Sequence, residues 1–400
     1  MSNILDHSLS SVQSEDWSVI ESFLPSNWQV LADEHKVMRK KKSTGFGNYR
    51  NLLRTLLLHS SKGYSLSETS ARVKESGIAN VSSVAIMNAL RSSEGWLESL
   101  CQNLYSNTNL PVLASGIKMK ICDSTIITEQ GKTGSQWRIH YGISLPSFNC
   151  SHFLLTNHKG KGSGESLLKY PVEVGDCFIA DRGYSRFDDV AYVQDNGGKI
   201  ILRVHYRMLR FCDIGNEGSK GNQINNGDNT RDDNIDKNEF NLLSRLESSL
   251  KQSGEIKEWD VYLKSVTTGE LIKGRLCAIK KSEMQIEKSL KRIKEKASRK
   301  SRSKAMESKS LEYAKYVVVF TTLDKDIYNT EAILNWYRAR WQIELTFKRF
   351  KSLAGLGHLP KYNQQSSRAW LYCKLLISLL TEKMINCSTI SPWGYHISKS

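Results

Sequence analysis

The hydrophobic period of the chain changes once, near residue 115, and that change limits the folds open to it. Before it, apolar residues recur at helical spacing, in segments near 14–24, 26–41, 48–58, 65–76, 82–92 and 93–104. After it, "IKMKICDSTII" alternates, so Ile117, Met119, Ile121 and Asp123 face one way and Lys118, Lys120 and Cys122 the other. An all-helical first part, 1–112, is therefore followed by an α/β part, with the boundary in "NTNLPVLASG".

Strand-like segments continue as "SQWRIHYGISL" and "CSHFLLT", followed by the turn-rich "NHKGKGSGES". Then come the strand "GDCFIADRGY", a helical "SRFDDVAYVQDN" and a fifth strand, "GKIILRVHYRM". Three strands, helix, strand, helix, strand is the order of a ribonuclease-H-like α/β domain. The next segment, 213–239, is rich in Asn, Gly and Asp and reads as a mobile loop. Beyond it, "KEWDVYLKSV" and "ELIKGRLCAIK" read as strands, "QIEKSLKRIKEKASRKSRSK" as a basic helix and "YAKYVVVFTTL" as a further strand.

With 57 Lys+Arg against 41 Asp+Glu, the net charge of +16 points to a polyanionic partner, nucleic acid or an anionic membrane surface. In the helical part, Ser65 can cap one helix, Gly77 can turn the chain, and Ser82 or Ser83 can cap a second. This spacing suits a helix laid in a DNA major groove, and equally an ordinary packed pair. The eight cysteines form no CxxC pair or zinc spacing, which fits a reducing compartment without disulfides. The N-terminus does not read as a secretory signal, and the apolar stretch 369–385 is interrupted by Lys374 and Glu382, so a buried helix is expected there. "KGKGSGES" lacks the spacing of an NTPase phosphate loop.

Three acids stand out. Asp123 and Asp181 each end an apolar strand, where a carboxylate can project past a sheet and hold a hard cation, although a turn or capping role is the commoner use. Glu344 lies in a stretch without Gly or Pro from Thr330 to Ala354, read as one helix capped by Thr330 and ended by Gly355 and Gly357. At 100° per residue, Tyr337, Arg340, Glu344 and Lys351 fall within an arc of roughly 60°.

The spacing Y-x2-R-x3-E-x6-K, with "RWQIE", resembles the signature of the DDE transposases encoded by bacterial insertion sequences of the IS-four type. "CDSTIIT" and "IADRGY" resemble the two Asp blocks of that family. The resemblance implies a ribonuclease-H-like catalytic core over 113–206 and 318–388, with a β-rich insertion over 207–317 between the second Asp and the Glu. The preceding helical region would bind DNA. The loop at 213–239 departs from the family pattern.

The resemblance further implies that Asp123, Asp181 and Glu344 are the catalytic acids and hold two Mg²⁺ ions, for which Mn²⁺ can substitute. Tyr337, Arg340 and Lys351 would hold DNA phosphates. Arg203 is a further candidate contact to the transposon end, with a surface ion pair as its alternative. Trp259 is a candidate platform for a flipped base, with core packing as its alternative. The implied activity is cleavage at insertion-sequence ends and strand transfer into target DNA, by a dimer on paired ends in the nucleoid-associated cytoplasm, without a membrane. A silent end-binding repressor and a nuclease without strand transfer remain alternatives.

Overall fold

The alternating segment after residue 115 becomes β1 (Lys118–Glu129), the strand about which one large mixed sheet is arranged. The computed structural model describes residues 17–38, 45–106, 116–129, 136–147, 149–160, 162–213, 239–299, 308–352, 355, 358–359 and 363–387. Most of the boundary stretch "NTNLPVLASG", nearly all of the loop at 213–239, the end of the basic run and Gly357 lie outside the described residues.

β1 pairs antiparallel with β2 (Gln136–Ser144), and β2 antiparallel with β3 (Cys150–Asn157). On its other side β1 pairs in parallel with β4 (Asp176–Ala180), and β4 in parallel with β5 (Lys199–Arg203). Parallel neighbours need a crossover, supplied between β4 and β5 by α6 (Phe187–Asp195). Between β3 and β4, where the sequence is turn-rich, the chain makes one 3₁₀ turn, Leu167–Lys169, and Asp189 of α6 accepts from Leu167 N and Ser166 Oγ at its start.

The expected insertion does not form a sheet of its own. β6 (Arg210–Asp213), β7 (Ile256–Lys264) and β8 (Leu271–Lys280) join the same sheet through β9 (Tyr316–Thr321), giving the order β3-β2-β1-β4-β5-β9-β8-β7-β6. β9 pairs antiparallel with both β5 and β8, so neither buried edge is left with unpaired backbone groups. A short β10 (His358–Leu359) closes on the far end of β1.

Both faces of this sheet are covered, which is why "DCFIA" is buried along its whole length rather than alternating. Cys177 and Ile179 face one core with Met119, Ile121 and Ile201; Phe178 and Ala180 face the other with Ile200 and Leu202. The first core is closed by the helices that follow β9 and by the N-terminal helices. The second is closed by α6 and by α7 (Leu242–Ser249). A charge in the second core is met in kind: Lys120, on the opposite face of β1 from Ile121, donates to the fully buried Asp176 at 2.7 Å.

The helical region comprises α1 (Trp28–Glu34), α2 (Tyr49–Lys62), α3 (Leu66–Glu75), α4 (Ser83–Ser92) and α5 (Glu94–Ser106), after a helical stretch at 17–22. Ser65 and Ser82 cap α3 and α4, accepting from Glu68 N and Ala85 N, and Gly77 turns the chain at a positive φ of 66°. These helices share the first core with α12 (Gln364–Cys387), the buried helix expected near 369–385. Polar ties accompany the packing: Arg368 pairs with Glu94 at 2.5 Å, and Tyr372 Oη donates to Glu98 at 2.6 Å. Among the described residues no helix is long and apolar enough to cross a membrane.

Candidate active site

The register of β1 and β4 decides where the two aspartates meet. Ile121 is paired with Ile179, so Asp123 and Asp181 each lie two residues further along neighbouring parallel strands, and at even spacing both leave on the face that carries the two isoleucines. There the chains diverge. β1 continues beside β2, whereas β4 ends at Ala180 and the chain turns through Arg182–Tyr184. Asp181 makes that turn by accepting from Gly183 N at 2.7 Å, and Asp123 accepts from Ser124 N at 2.7 Å. Tyr184 braces the two from below: its hydroxyl meets Tyr170 Oη at 3.2 Å, and Tyr170 Oη donates to the Asp123 carbonyl at 2.9 Å.

Glu344 arrives from above the same face. The long helix expected over 330–354 is two helices, α10 (Thr330–Ala339) and α11 (Trp341–Ser352), and Asn329 rather than Thr330 is the cap. Arg340 separates them, with Arg340 N bonded to Tyr337 O and Ile343 N to Arg340 O at the tighter three-residue spacing, while its own backbone stays in the right-handed helical region. α11 is seated by Ile343, Phe347 and Phe350, the last with its ring edge-on to Tyr141 of β2 at 5.1 Å. Glu344 is left with its side chain 57% exposed. Burial falls along the expected common stripe: Tyr337 is buried, Arg340 is half-buried, and Glu344 and Lys351 are exposed.

Arg340 joins the acids, its guanidinium bonding both Glu344 and, at 3.4 Å, Asp123 Oδ2. Burial opposes its charge, but Tyr337, Glu344 and Asp123 together raise its pKa above the usual arginine value. For Asp123, burial and then the charge of Asp181 push the carboxyl up to about 7, against the pull of Ser124 N–H and Arg340. Two oxygen donors forced together with so little compensation fit a hard divalent cation. Among the described residues no three His, Cys, Asp or Glu side chains are grouped closely enough to hold one ion, and Glu344 is paired with Arg340.

Beside the acids a cavity of about 430 Å³ opens between α10 and the end of β8, lined by Arg203, Lys280, Lys281, Arg338 and Arg340 against one acid, Glu331. Tyr337 also lines it, and both Tyr337 Oη and Arg203 Nε are buried without a hydrogen-bond partner among the described residues. Burial, and then Arg203 and Arg182, lower the Lys281 ammonium to about 8. Arg340 is paired with Asp123 and Glu344, and Lys280 Nζ and Lys281 Nζ donate to the carbonyls of Lys251 and Ala314 at 2.7 and 2.6 Å, so the net positive charge of the lining, with Arg203 Nε and Tyr337 Oη as its unpartnered donors, is what suits an anion. Lys281 and Arg182 were not singled out from the sequence, since nothing local distinguishes them among so many cations.

Trp259 is elsewhere. It packs against the second core with its ring edge-on to Phe240 at 5.9 Å, across the sheet from α10 and α11. Trp259→Ala is expected to cost about 2–3 kcal/mol of stability, read by denaturant unfolding, a little less than a fully buried tryptophan because the ring is partly exposed.

Two aspartates level on neighbouring parallel strands, an arginine that joins one of them to Glu344, and basic side chains lining a cavity beside them suit the class of enzymes that transfer phosphoryl groups of nucleic acids. Residues 158–380 match the transposase DDE domain family, and the chain belongs to that family: it is a DNA transposase. Over 384 residues it is 28% identical to the transposase for insertion sequence element IS421 of Escherichia coli, covering 94% of this chain and 96% of that protein. It is equally similar, over 383 residues, to InsL of insertion sequence element IS186A from Escherichia coli strain K12. The transposase for IS231F of Bacillus thuringiensis subsp. israelensis is 28% identical over 210 residues, 52% of this chain and 41% of that protein.

Proposed function

We propose that this transposase cuts DNA at the ends of an insertion sequence and joins the freed 3′ ends to target DNA, with Asp123, Asp181 and Glu344 as its acids. The observation that carries this reading is the convergence of Asp123 and Asp181, level on adjacent parallel strands, beneath the Glu344–Arg340 pair. The strand order β3-β2-β1-β4-β5 with its α6 crossover supports a ribonuclease-H-like core, into which β6 to β8 are inserted.

The three acids would hold divalent cations, Mg²⁺ or Mn²⁺, which when bound activate the attacking oxygen and stabilise the leaving one. The protein's own groups do the positioning. Arg340 neutralises Asp123 and Glu344 in the resting site, and it is placed to turn its fork to a phosphate when the acids take up other partners. Arg203, Lys281 and the Tyr337 hydroxyl hold a neighbouring phosphate in the cavity, fixing the register of the DNA relative to the acids. Lys351, exposed on the last turn of α11, extends this cationic track as a point charge.

The deciding experiment supplies purified protein with end-bearing DNA, a target plasmid and Mg²⁺ or Mn²⁺. Metal-dependent cleavage followed by joined product is expected. Cut ends without joining would favour a nuclease, and binding without cleavage a repressor. Lys351→Ala is expected to weaken end binding roughly 3- to 10-fold and to reduce the salt slope of log K by about 1, measured by titration at several salt concentrations.

A further inference from the structure

Glu165 belongs to none of the sequence blocks that mark the site, yet it touches both aspartate-bearing segments. Its Oε1 accepts from Ser124 Oγ at 2.9 Å and from Arg138 Nη1 at 3.0 Å, and Arg138 Nη1 also donates to Ser124 Oγ at 2.7 Å. Ser124 is the residue whose N–H holds Asp123 Oδ1. The other oxygen, Oε2, lies against Gly183, whose N–H holds Asp181; a Cβ built on Gly183 would stand 1.8 Å from it. A side chain at 183 would push the flexible end of Glu165 aside, so the carboxylate keeps this place only beside a glycine.

The loop that carries Glu165 is itself fixed. The next two residues, Ser166 and Leu167, both donate to Asp189 Oδ1 at 2.6 Å, and Asp189 is fully buried in α6. Arg138 is held from its far side by His158 Nδ1 at 3.2 Å. A carboxylate anchored in this way transmits the rigidity of α6 to the two places where the acids leave their strands.

We infer that Glu165 is a positioning residue of the DDE centre, a brace between Ser124 and Gly183 that sets the separation of Asp123 and Asp181. The inference rests on the proposed roles of those two aspartates. Without Glu165, the Tyr170–Tyr184 link below is left to tie β1 to the turn after β4 beyond the last β1–β4 pair, Ile121 with Ile179, and the upper side, where the carboxylates stand, can open. The acids would then present the wrong spacing to cations, while the cationic cavity on the other side of Arg340 would be unaffected. Losing a group that orients ligands in this way typically costs about 10- to 100-fold in metal affinity or activity.

The test is a double-mutant cycle on the full chain. Glu165→Ala and Gly183→Ala should each lower the cleavage rate roughly 10- to 100-fold, the first by removing the brace and the second by displacing it. Combined, they should be no worse than either alone, because the alanine at 183 then meets no carboxylate. Glu165→Gln, which can still accept from Ser124 and Arg138, should recover much of the rate. Mn²⁺ affinity, read without turnover by electron paramagnetic resonance, should fall with Glu165→Ala while end-DNA binding and melting temperature stay close to those of the parent. Additive losses, an unchanged Mn²⁺ affinity, or equal loss of binding and melting temperature in both single variants would overturn the inference. Asp181→Asn separates the two levels: if it still cleaves, the proposed acids are wrong, whereas an inert Asp181→Asn with a fully active Glu165→Ala removes only the brace.

Discussion

Asp181→Asn is expected to lower single-turnover cleavage of end-bearing DNA by about 10³-fold or more, while the Kd for that DNA changes by less than about threefold. Several kcal/mol of transition-state charge stabilisation rest on a ligand set of this kind, which corresponds to that range. The substitution is nearly isosteric, and Asn can still accept from Gly183 N, so the turn after β4 is preserved. Binding should survive because the cavity of Arg203, Lys281 and Arg340 is built from β5, the end of β8 and the segment between α10 and α11. Glu344→Gln should behave similarly, with one difference: it also releases Arg340 from a partner, so end binding should tighten slightly rather than remain constant. Gel-based cleavage and titration of the same DNA decide both, and an Asp181→Asn protein that cuts at even a tenth of the parent rate would remove this acid from the mechanism.

The positions of these acids were readable for different physical reasons. Strand alternation is a local property, so the face taken by Asp123 and Asp181 and the strand-end position of Asp181 could be read without knowing the partner strands, but Asp123 does not end its strand: β1 runs on beside β2 to Glu129, and only its pairing with β4 stops before Asp123. Glu344 was readable only through its spacing from Tyr337, Arg340 and Lys351. The interruption at Arg340 was not readable, because the stretch contains neither Gly nor Pro; the residue at which the hydrogen-bond spacing changes is the one that meets Asp123, 217 positions away in the sequence. The same limit hid the continuation of the sheet through β8 and β9, and it hid Glu165 and Lys281, whose neighbours come from distant segments. For Trp259 the sequence leaves two uses open, a base platform and core packing, and its packing against Phe240 on the second core follows the latter.

Asp123→Asn should produce effects of opposite sign on activity and on the stability of the metal-free protein. Burial and the charge of Asp181 raise the Asp123 carboxyl from its usual 3.8 to about 7. A folded state that binds a proton more tightly than the unfolded state loses stability as pH rises between those values, and the loss is complete above about 7. At roughly 1.4 kcal/mol per unit the upper limit is about 4 kcal/mol. Asn avoids that cost and can keep the Ser124 N–H bond, but it gives up the charge facing Arg340. A net gain of roughly 1–3 kcal/mol at pH 8 is therefore expected, shrinking as pH falls from about 7 towards 3.8, below which the parent carboxyl is protonated in both states. Adding Mg²⁺ or Mn²⁺ should reverse the order, since cations that bind only the folded parent stabilise it by mass action and the Asn variant has lost a ligand. Denaturant unfolding of both proteins at pH 5 and pH 8, with and without divalent ion, reads all four terms. Equal stabilities at pH 8 without metal would mean that the two aspartates do not repel one another across β1 and β4, and the cation-holding role assigned to them would lose its physical basis.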